Sequence, residues 1–431
     1  MSCLALVLAL PLQARAADTY KIGLMCPMTG KWASEGLDMK NIVDLQVKKA
    51  NEQGGINGKK IEVVVEDDAG DPRSAALAAQ KLASSDVKAV IGTYGSAVTE
   101  ASQNIYDEAG ILQIATGSTS IRLSEKNLPL FFRTCPRDDA QGSFAAEQLL
   151  QKGFKRIALL HDNSSYAKGL ADQTKKCLEG KGVEIVFFDA LTAGERDYTA
   201  TLTKLKAANP DVIFFTGYYP EAGMLLRQKK EMGWNVPMMG GDASNHADLV
   251  KVAGNEAAKG YFFVSPPLPQ DMDTPEAKAF LKDFQAAYHA QPVSVWAVLA
   301  GDAYIAIEDA LRAGKYEPED MAKYLKTMKD KPALSGKMGF NEKGDRVGDF
   351  YRIYEVEDGQ ELAFSGAGRA QPLPVPSPPK SWNSSFSNFS TDSPSVASTH
   401  SWPWATPWST VFSSSSTSLT ATCSPSVPIW A

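Results

Sequence analysis

From Lys21 to Gly260 the chain alternates between short apolar runs and longer stretches in which apolar residues recur every three or four positions. The runs predict strands at 21–26, 60–66, 89–93, 111–115, 156–161, 183–189, 211–217 and 236–240. The longer stretches predict helices, as at Met39, Ile42, Val43, Gln46, Val47 and Ala50, with Gly54-Gly55 as the stop. Strands that are apolar throughout and separated by helices predict an α/β protein with parallel sheets covered on both faces. The first sheet falls within about 18–134 and the second within about 137–264. Helices at 275–290, 293–314 and 318–328 and a last strand at 350–356 follow. Pro136, Pro266-Pro267-Leu268-Pro269 and the stretch from Gly344 to Gly348 punctuate three crossings, which would make a hinge. The lobes are then 18–136 plus 267–346 and 137–266 plus 347–362.

Two of the runs end in turns built from glycine and hydroxyl residues. Ala89-Val90-Ile91-Gly92-Thr93 leads into Tyr94-Gly95-Ser96, and Ile111-Leu112-Gln113-Ile114-Ala115 leads into Thr116-Gly117-Ser118-Thr119. Neighbouring parallel strands end at the same edge, so the turns can lie side by side. Backbone N–H groups and hydroxyls at helix starts make an anion site suited to a carboxylate. The second lobe delivers Tyr218-Tyr219-Pro220-Glu221 and Asp242 at its own strand ends. A buried ammonium needs a paired carboxylate, so Asp242 facing the hydroxyl turns suits the two charges of an α-amino acid. Glu221 fits better as a first-turn acid favouring the dipole of the next helix.

Formal net charge is -6, and no basic patch or Arg-rich stripe marks a nucleic-acid partner. Catalytic parts are scarce: the histidines are His161, His246, His289 and His400, and neither a G-x-S-x-G elbow nor a P-loop is present. An exported α/β enzyme is the disfavoured alternative to a binding protein, and no cofactor is called for. The five cysteines are dispersed, without zinc-like spacing. Cys26 and Cys135 both follow strands near a lobe edge; a bridge is one reading, unpaired buried thiols the favoured one. The start, with an apolar run and Ala14-Arg15-Ala16-Ala17, reads as a signal peptide over residues 1–17. Residues 361–431 are rich in Ser, Pro and Thr yet hold five of the eight tryptophans. That tail reads first as frameshift-derived and second as a disordered stalk.

Given these residues, the chain resembles the periplasmic leucine/isoleucine/valine-binding proteins of branched-chain amino acid ABC transporters, over about residues 20–356. The likeness is carried by Pro27-Met28-Thr29-Gly30, Asn51-Glu52-Gln53-Gly54-Gly55-Ile56-Asn57-Gly58, Asp67-Asp68-Ala69-Gly70-Asp71-Pro72, Phe132-Arg133-Thr134, Tyr219-Pro220-Glu221 and Phe340-Asn341-Glu342-Lys343-Gly344-Asp345. It implies the type I periplasmic binding fold, two Rossmann-like lobes joined by a three-strand hinge that close over ligand. It places the ligand carboxylate on Ser96 and Gly95 and on the turn of Gly117, Ser118 and Thr119. The ammonium falls to Tyr218 and Asp242, and the side-chain pocket to Trp32, Glu35, Tyr94 and Trp296. The implied protein is a periplasmic monomer that hands an amino acid, branched-chain or otherwise small and aliphatic, to membrane permease subunits. A sensor of the same fold for an amide, urea or small carboxylate is the second reading. Some relatives carry a disulfide where Gly70 and Gly95 stand, and Glu35 is out of place beside a purely aliphatic ligand.

Overall fold

Each long apolar run becomes a strand in a computed structural model that describes residues 19–348 and 351–357 and the backbone of 364–365. The leader, and the tail apart from the backbone of residues 364–365, lie outside the described residues, as do Cys3 and Cys423. The first sheet is wholly parallel, in the order β2-β1-β3-β4-β5. Its strands are β1 (Thr19–Cys26), β2 (Lys60–Asp67), β3 (Ala89–Ile91), β4 (Leu112–Ala115) and β5 (Phe131–Arg133). Helices α1 (Ala33–Glu52), α2 (Pro72–Ala83), α3 (Ser96–Glu108) and α4 (Ile121–Glu125) connect them. Chain order continues with α5 (Asp138–Gln151), β6 (Arg156–His161), α6 (Ser165–Leu178), β7 (Glu184–Ala190), α7 (Thr199–Ala207), β8 (Val212–Thr216), α8 (Tyr219–Glu231) and β9 (Met238–Gly240). Then come α9 (Asp248–Ala253), α10 (Asn255–Ala258), β10 (Phe262–Ser265), α11 (Pro275–Tyr288), α12 (Val295–Arg312), α13 (Pro318–Thr327), β11 (Lys331–Ala333), β12 (Gly336–Met338), β13 (Arg352–Val356) and β14 (Phe364–Ser365). The second sheet runs β14-β13-β10-β9-β8-β6-β7, parallel except where β13 meets β10 and β14.

Inner strands β3, β4, β8, β9 and β10 are buried at every residue, whereas edge strands β2 and β7 are partly exposed. This is the pattern of a sheet covered on both faces. The predicted stripe of α1 is buried except Gln46, whose Nε2 donates to the Gly301 carbonyl of α12 at 3.2 Å. Five strands escaped the sequence reading: β5, β10, β11, β12 and β14. β5 has three residues, one an arginine, and β10 four, both too short for periodicity to register. The buried thiols of Cys26 and Cys135 are unpaired.

The chain passes between the sheets after β5, after β10 and again before β13, and the crossings are tied together by buried charge. Arg133, fully buried, donates from Nε to Asp345 at 2.6 Å, and Arg137 donates to the other oxygen of Asp345 at 3.0 Å. Arg346 donates to Asp302 at 2.9 Å and to the Thr134 carbonyl at 3.2 Å. Burial works against the Asp345 charge, but the two guanidinium groups hold its carboxyl below the usual range. Its contribution to stability is therefore present above about pH 4 and is lost as pH falls through the lowered value.

Candidate functional site

The segment leading through Trp32 into α1 is shaped by the acidic motif at the end of β2. Asp67 Oδ1 accepts from the N–H groups of Met28 and Ala69, both at 2.8 Å, and Oδ2 accepts from the Thr29 hydroxyl at 2.6 Å. Asp71 caps α2 by accepting from the Arg73 and Ser74 N–H groups, with Pro72 in the first turn. Gly70 sits between, with φ +67°, and a Cβ there would come within 2.6 Å of the Trp32 indole. At Gly95 the corresponding distance to the same ring is 2.9 Å. The indole thus lies against both glycines. A Gly95→Ala variant is expected to displace Trp32 and weaken ligand binding, read as altered tryptophan fluorescence together with a reduced ligand-induced melting shift.

Ser96 opens α3, and Tyr218 caps α8, so the N-terminal ends of two 13-residue helices face one region. The Tyr218 hydroxyl reaches the Ser96 N–H. Its ring packs on Trp32 (centroids 4.3 Å apart), Tyr166 (5.3 Å) and Tyr94 (5.7 Å), and Tyr94 in turn lies 6.4 Å from Trp296. Ser96 Oγ accepts from the Ser120 N–H at 3.2 Å. The Ser120 hydroxyl is buried beside it without a hydrogen-bond partner, and the Thr119 hydroxyl, which makes no full hydrogen bond, lies toward the Asp138 carboxyl. Ser118 is different. Its hydroxyl is engaged with Thr99 Oγ1 at 2.6 Å and with the Thr93 and Tyr94 carbonyls at 3.1 and 3.2 Å. That side chain ties the two turns together, which leaves Gly117 and Ser118 only backbone groups to offer, and Ser120 takes the outward place that the sequence reading did not assign. Arg133 donates to the Ser118 and Ser120 carbonyls at 3.0 and 2.8 Å, so the peptide following Ser118 directs its N–H away from the guanidinium.

Asp242 follows β9 at the start of a short 3₁₀ turn and is buried. Its N–H donates to Gln141 Oε1 at 2.9 Å, and its Oδ2 accepts from the Tyr351 hydroxyl at 3.1 Å. Burial pushes its carboxyl up to about 7, against the opposing hydrogen bonds of Tyr166, Tyr351 and Gln141. No side chain fits at Gly241, where a Cβ would meet the Tyr166 hydroxyl at 2.5 Å. A second acid, Asp138, stands beside Asp242 at the start of α5. Gln141 Nε2 donates to its Oδ1 at 3.2 Å, while Oδ2 is buried without a partner. Burial, then the neighbouring Asp242 charge, raises the Asp138 carboxyl well above its usual range. The sequence reading missed Asp138, Gln141, Tyr166 and Tyr351; no local pattern sets them apart from ordinary helix-start and packing residues.

Glu35, fully buried in the first turn of α1, accepts from the Ser294 hydroxyl at both oxygens (2.8 and 2.6 Å). Burial pushes its carboxyl up to about 8, against the Ser294 hydrogen bond. Glu35, Tyr219 and Asp242 come from elements of both sheets, yet each lies within electrostatic reach of Tyr94. Contacts also join the rims. Tyr219 donates from its hydroxyl to the Lys31 carbonyl at 2.9 Å, and Ser34 Oγ donates to Asp248 at 3.0 Å. His246 Nδ1 accepts from the Asp248 N–H at 3.0 Å, so its Nε2 carries the proton toward Ser34 Oγ, 3.3 Å away. Glu221 accepts from the Gly194 N–H at 3.0 Å and lies 3.8 Å from Lys31. It is therefore engaged at the rim, apart from the Asp138–Asp242 pair. Among the described residues no helix is long and apolar enough to cross a membrane, and no group of His, Cys, Asp and Glu is arranged to hold a metal.

A profile of a periplasmic binding protein family matches residues 19–361. The leucine-, isoleucine-, valine-, threonine- and alanine-binding protein of Pseudomonas aeruginosa is 34% identical over 344 residues, 79% of this chain and 90% of the relative. A Leu/Ile/Val-binding protein homolog of Brucella suis is 33% identical, covering 80% of this chain and 92% of the relative. Among solved structures, the branched-chain amino acid transporter substrate-binding protein of Streptococcus pneumoniae in complex with isoleucine superposes with a TM-score of 0.72 at 31% identity, covering 78% of this chain and 95% of that one. A leucine-binding protein of Thermotoga maritima gives a TM-score of 0.74 at 26% identity, covering 80% of this chain and 98% of that one.

Proposed function

The chain belongs to the periplasmic binding protein family, and from that premise we propose that it is the extracytoplasmic solute-binding component of an ABC importer, capturing an amino acid between its lobes for delivery to a membrane permease. The observation that carries this reading is the meeting of two opposite sites around Tyr218. On one side stand Ser96 at the start of α3 and Ser120 in the turn after β4, with a bare hydroxyl; on the other stand Asp242 and Asp138, the latter with a carboxyl toward which the Thr119 hydroxyl lies. A zwitterion supplies both missing partners. Its carboxylate takes the hydroxyls and helix N–H groups, and its ammonium returns Asp242 to the ionised form that burial alone disfavours. The names of the relatives, which specify leucine, isoleucine and valine among their ligands, support an amino acid over other small acids. Nothing in the arrangement calls for a reacting group.

A melting-temperature screen of the full chain against the standard amino acids, with urea, acetamide and benzoate as comparisons, tests the proposal. A ligand at a hundred times its dissociation constant adds about 2.7 kcal/mol, so an amino acid stands out by several degrees. Stabilisation by an amide or by benzoate alone overturns the reading. Affinity also carries a pH signature. Below about pH 7 the free Asp242 holds a proton that the ammonium must displace. Affinity is therefore expected to fall by up to about tenfold per unit as pH drops beneath that value. Calorimetry in buffers of different ionisation enthalpy reads the proton release directly.

A further inference from the structure

At the end of the site away from Asp242, the wall is polar where an aliphatic tip would want carbon. Tyr94 is 1% exposed and its hydroxyl has no hydrogen-bond partner, and the indole N–H groups of Trp32 and Trp296, whose rings flank Tyr94, are likewise buried without acceptors. Glu35 stands within electrostatic reach of the Tyr94 hydroxyl. Glu35 shares in the start of α12: Ser294 accepts from the Trp296 N–H at 3.1 Å, and Glu35 receives the Ser294 hydroxyl proton and the Ala297 N–H. Glu35 is not an ion-pair partner for His246. That imidazole is neutral, pushed down to about 4 by burial, and its Nε2 lies 3.8 Å from the carboxyl, closer to Ser34.

We propose that Tyr94 and Glu35 read a hydrogen-bonding group on the ligand's side chain, so that small amino acids bearing a hydroxyl or carboxamide bind more tightly than aliphatic ones of the same shape. This rests on the amino-acid reading above and adds the substrate class. The physical reason is an asymmetry of burial. A methyl group against Tyr94 and the two indoles leaves their polar atoms stranded, and a stranded buried donor costs more than a made hydrogen bond contributes. A hydroxyl or carboxamide can both donate and accept. It therefore matches a phenol and a carboxyl that burial holds protonated near neutral pH. A side-chain carboxylate would set a second negative charge near Glu35 and Asp242.

Isosteric pairs isolate the effect. Calorimetry on the full chain compares threonine with valine and asparagine with leucine, shapes that match while polarity differs. Threonine and asparagine are expected to bind at least about tenfold more tightly than their partners. Tyr94→Phe removes a hydroxyl that has no protein partner, so the variant retains its fold. It is expected to erase most of that preference by weakening threonine and asparagine and strengthening valine and leucine, which no longer strand the hydroxyl. Valine and leucine binding as well as or better than their isosteres overturns this inference and leaves the amino-acid reading standing. Equal weakening of all four ligands by Tyr94→Phe overturns the role given to the hydroxyl. Stabilisation by none of the standard amino acids removes both readings together.

Discussion

Asp242→Ala is expected to lower amino-acid affinity by two to three orders of magnitude, because truncating one member of a buried charge pair costs about 2–5 kcal/mol. The same change is expected to leave the ligand-free fold as stable as before, or more so, at pH 8. The sign follows from the carboxyl, whose folded value of about 7 lies above its ordinary one. Between about pH 4 and pH 7 the folded chain binds more protons than the unfolded one, so stability falls as pH rises through that window and then levels. Removing the acid removes the fall. Calorimetric titration and denaturant unfolding at pH 5 and pH 8 measure the two effects separately. Affinity within tenfold of the parent chain would show that the ammonium is held elsewhere. Asp138→Asn is the companion measurement, since Asp138 shares Gln141 with Asp242 and carries the bare oxygen.

Arg133→Met is expected to cost about 3–5 kcal/mol of stability, the usual effect of breaking a buried ion pair by removing one partner. The methionine replaces the aliphatic stem but leaves Asp345 with Arg137 alone, and Ser124 Oγ and the Ser118 and Ser120 carbonyls lose their Arg133 donor. Binding is expected to suffer as well, by about tenfold or more, because those carbonyls set the direction of the turn that carries Thr119 and Ser120. Melting temperature and ligand affinity are read on the same preparation. A loss of stability with affinity intact would show that the turn holds its orientation without the guanidinium. Addition of Asp345→Asn to the variant removes the surplus charge and is expected to recover part of the stability but little of the binding.

Most of the framework was legible because its signal is local. β8 reads Val-Ile-Phe-Phe-Thr and is buried at every position, so composition over five residues suffices. The places of the turns after β3 and β4 were legible because glycine beside hydroxyls directly follows each apolar run. What escaped is non-local. Asp138 and Gln141 matter because the first crossing brings α5 under Asp242, a hundred residues further along the chain. Tyr351 reaches Asp242 only after the third crossing. The choice between Ser118 and Ser120 turned on which hydroxyl points inward. Thr99 of α3 decides that by offering Ser118 a partner across the turn. Glu35 was recognised as discordant beside an aliphatic ligand, but its Ser294 partner lies 259 residues away and has no signature in the sequence.

The rim contacts joining Tyr219 to Lys31, Ser34 to Asp248 and Ser165 to Glu100 are made between protein groups alone. They favour the shut arrangement by the same amount whichever solute is enclosed. Apparent affinity scales with the fraction of molecules already able to adopt that arrangement. Substitutions along the rim therefore act as a gain control, multiplying or dividing uptake sensitivity for every solute equally, while the ranking among solutes is set deeper in the cleft. A lineage facing scarcer nutrients can retune this protein at its lips without relearning what to hold.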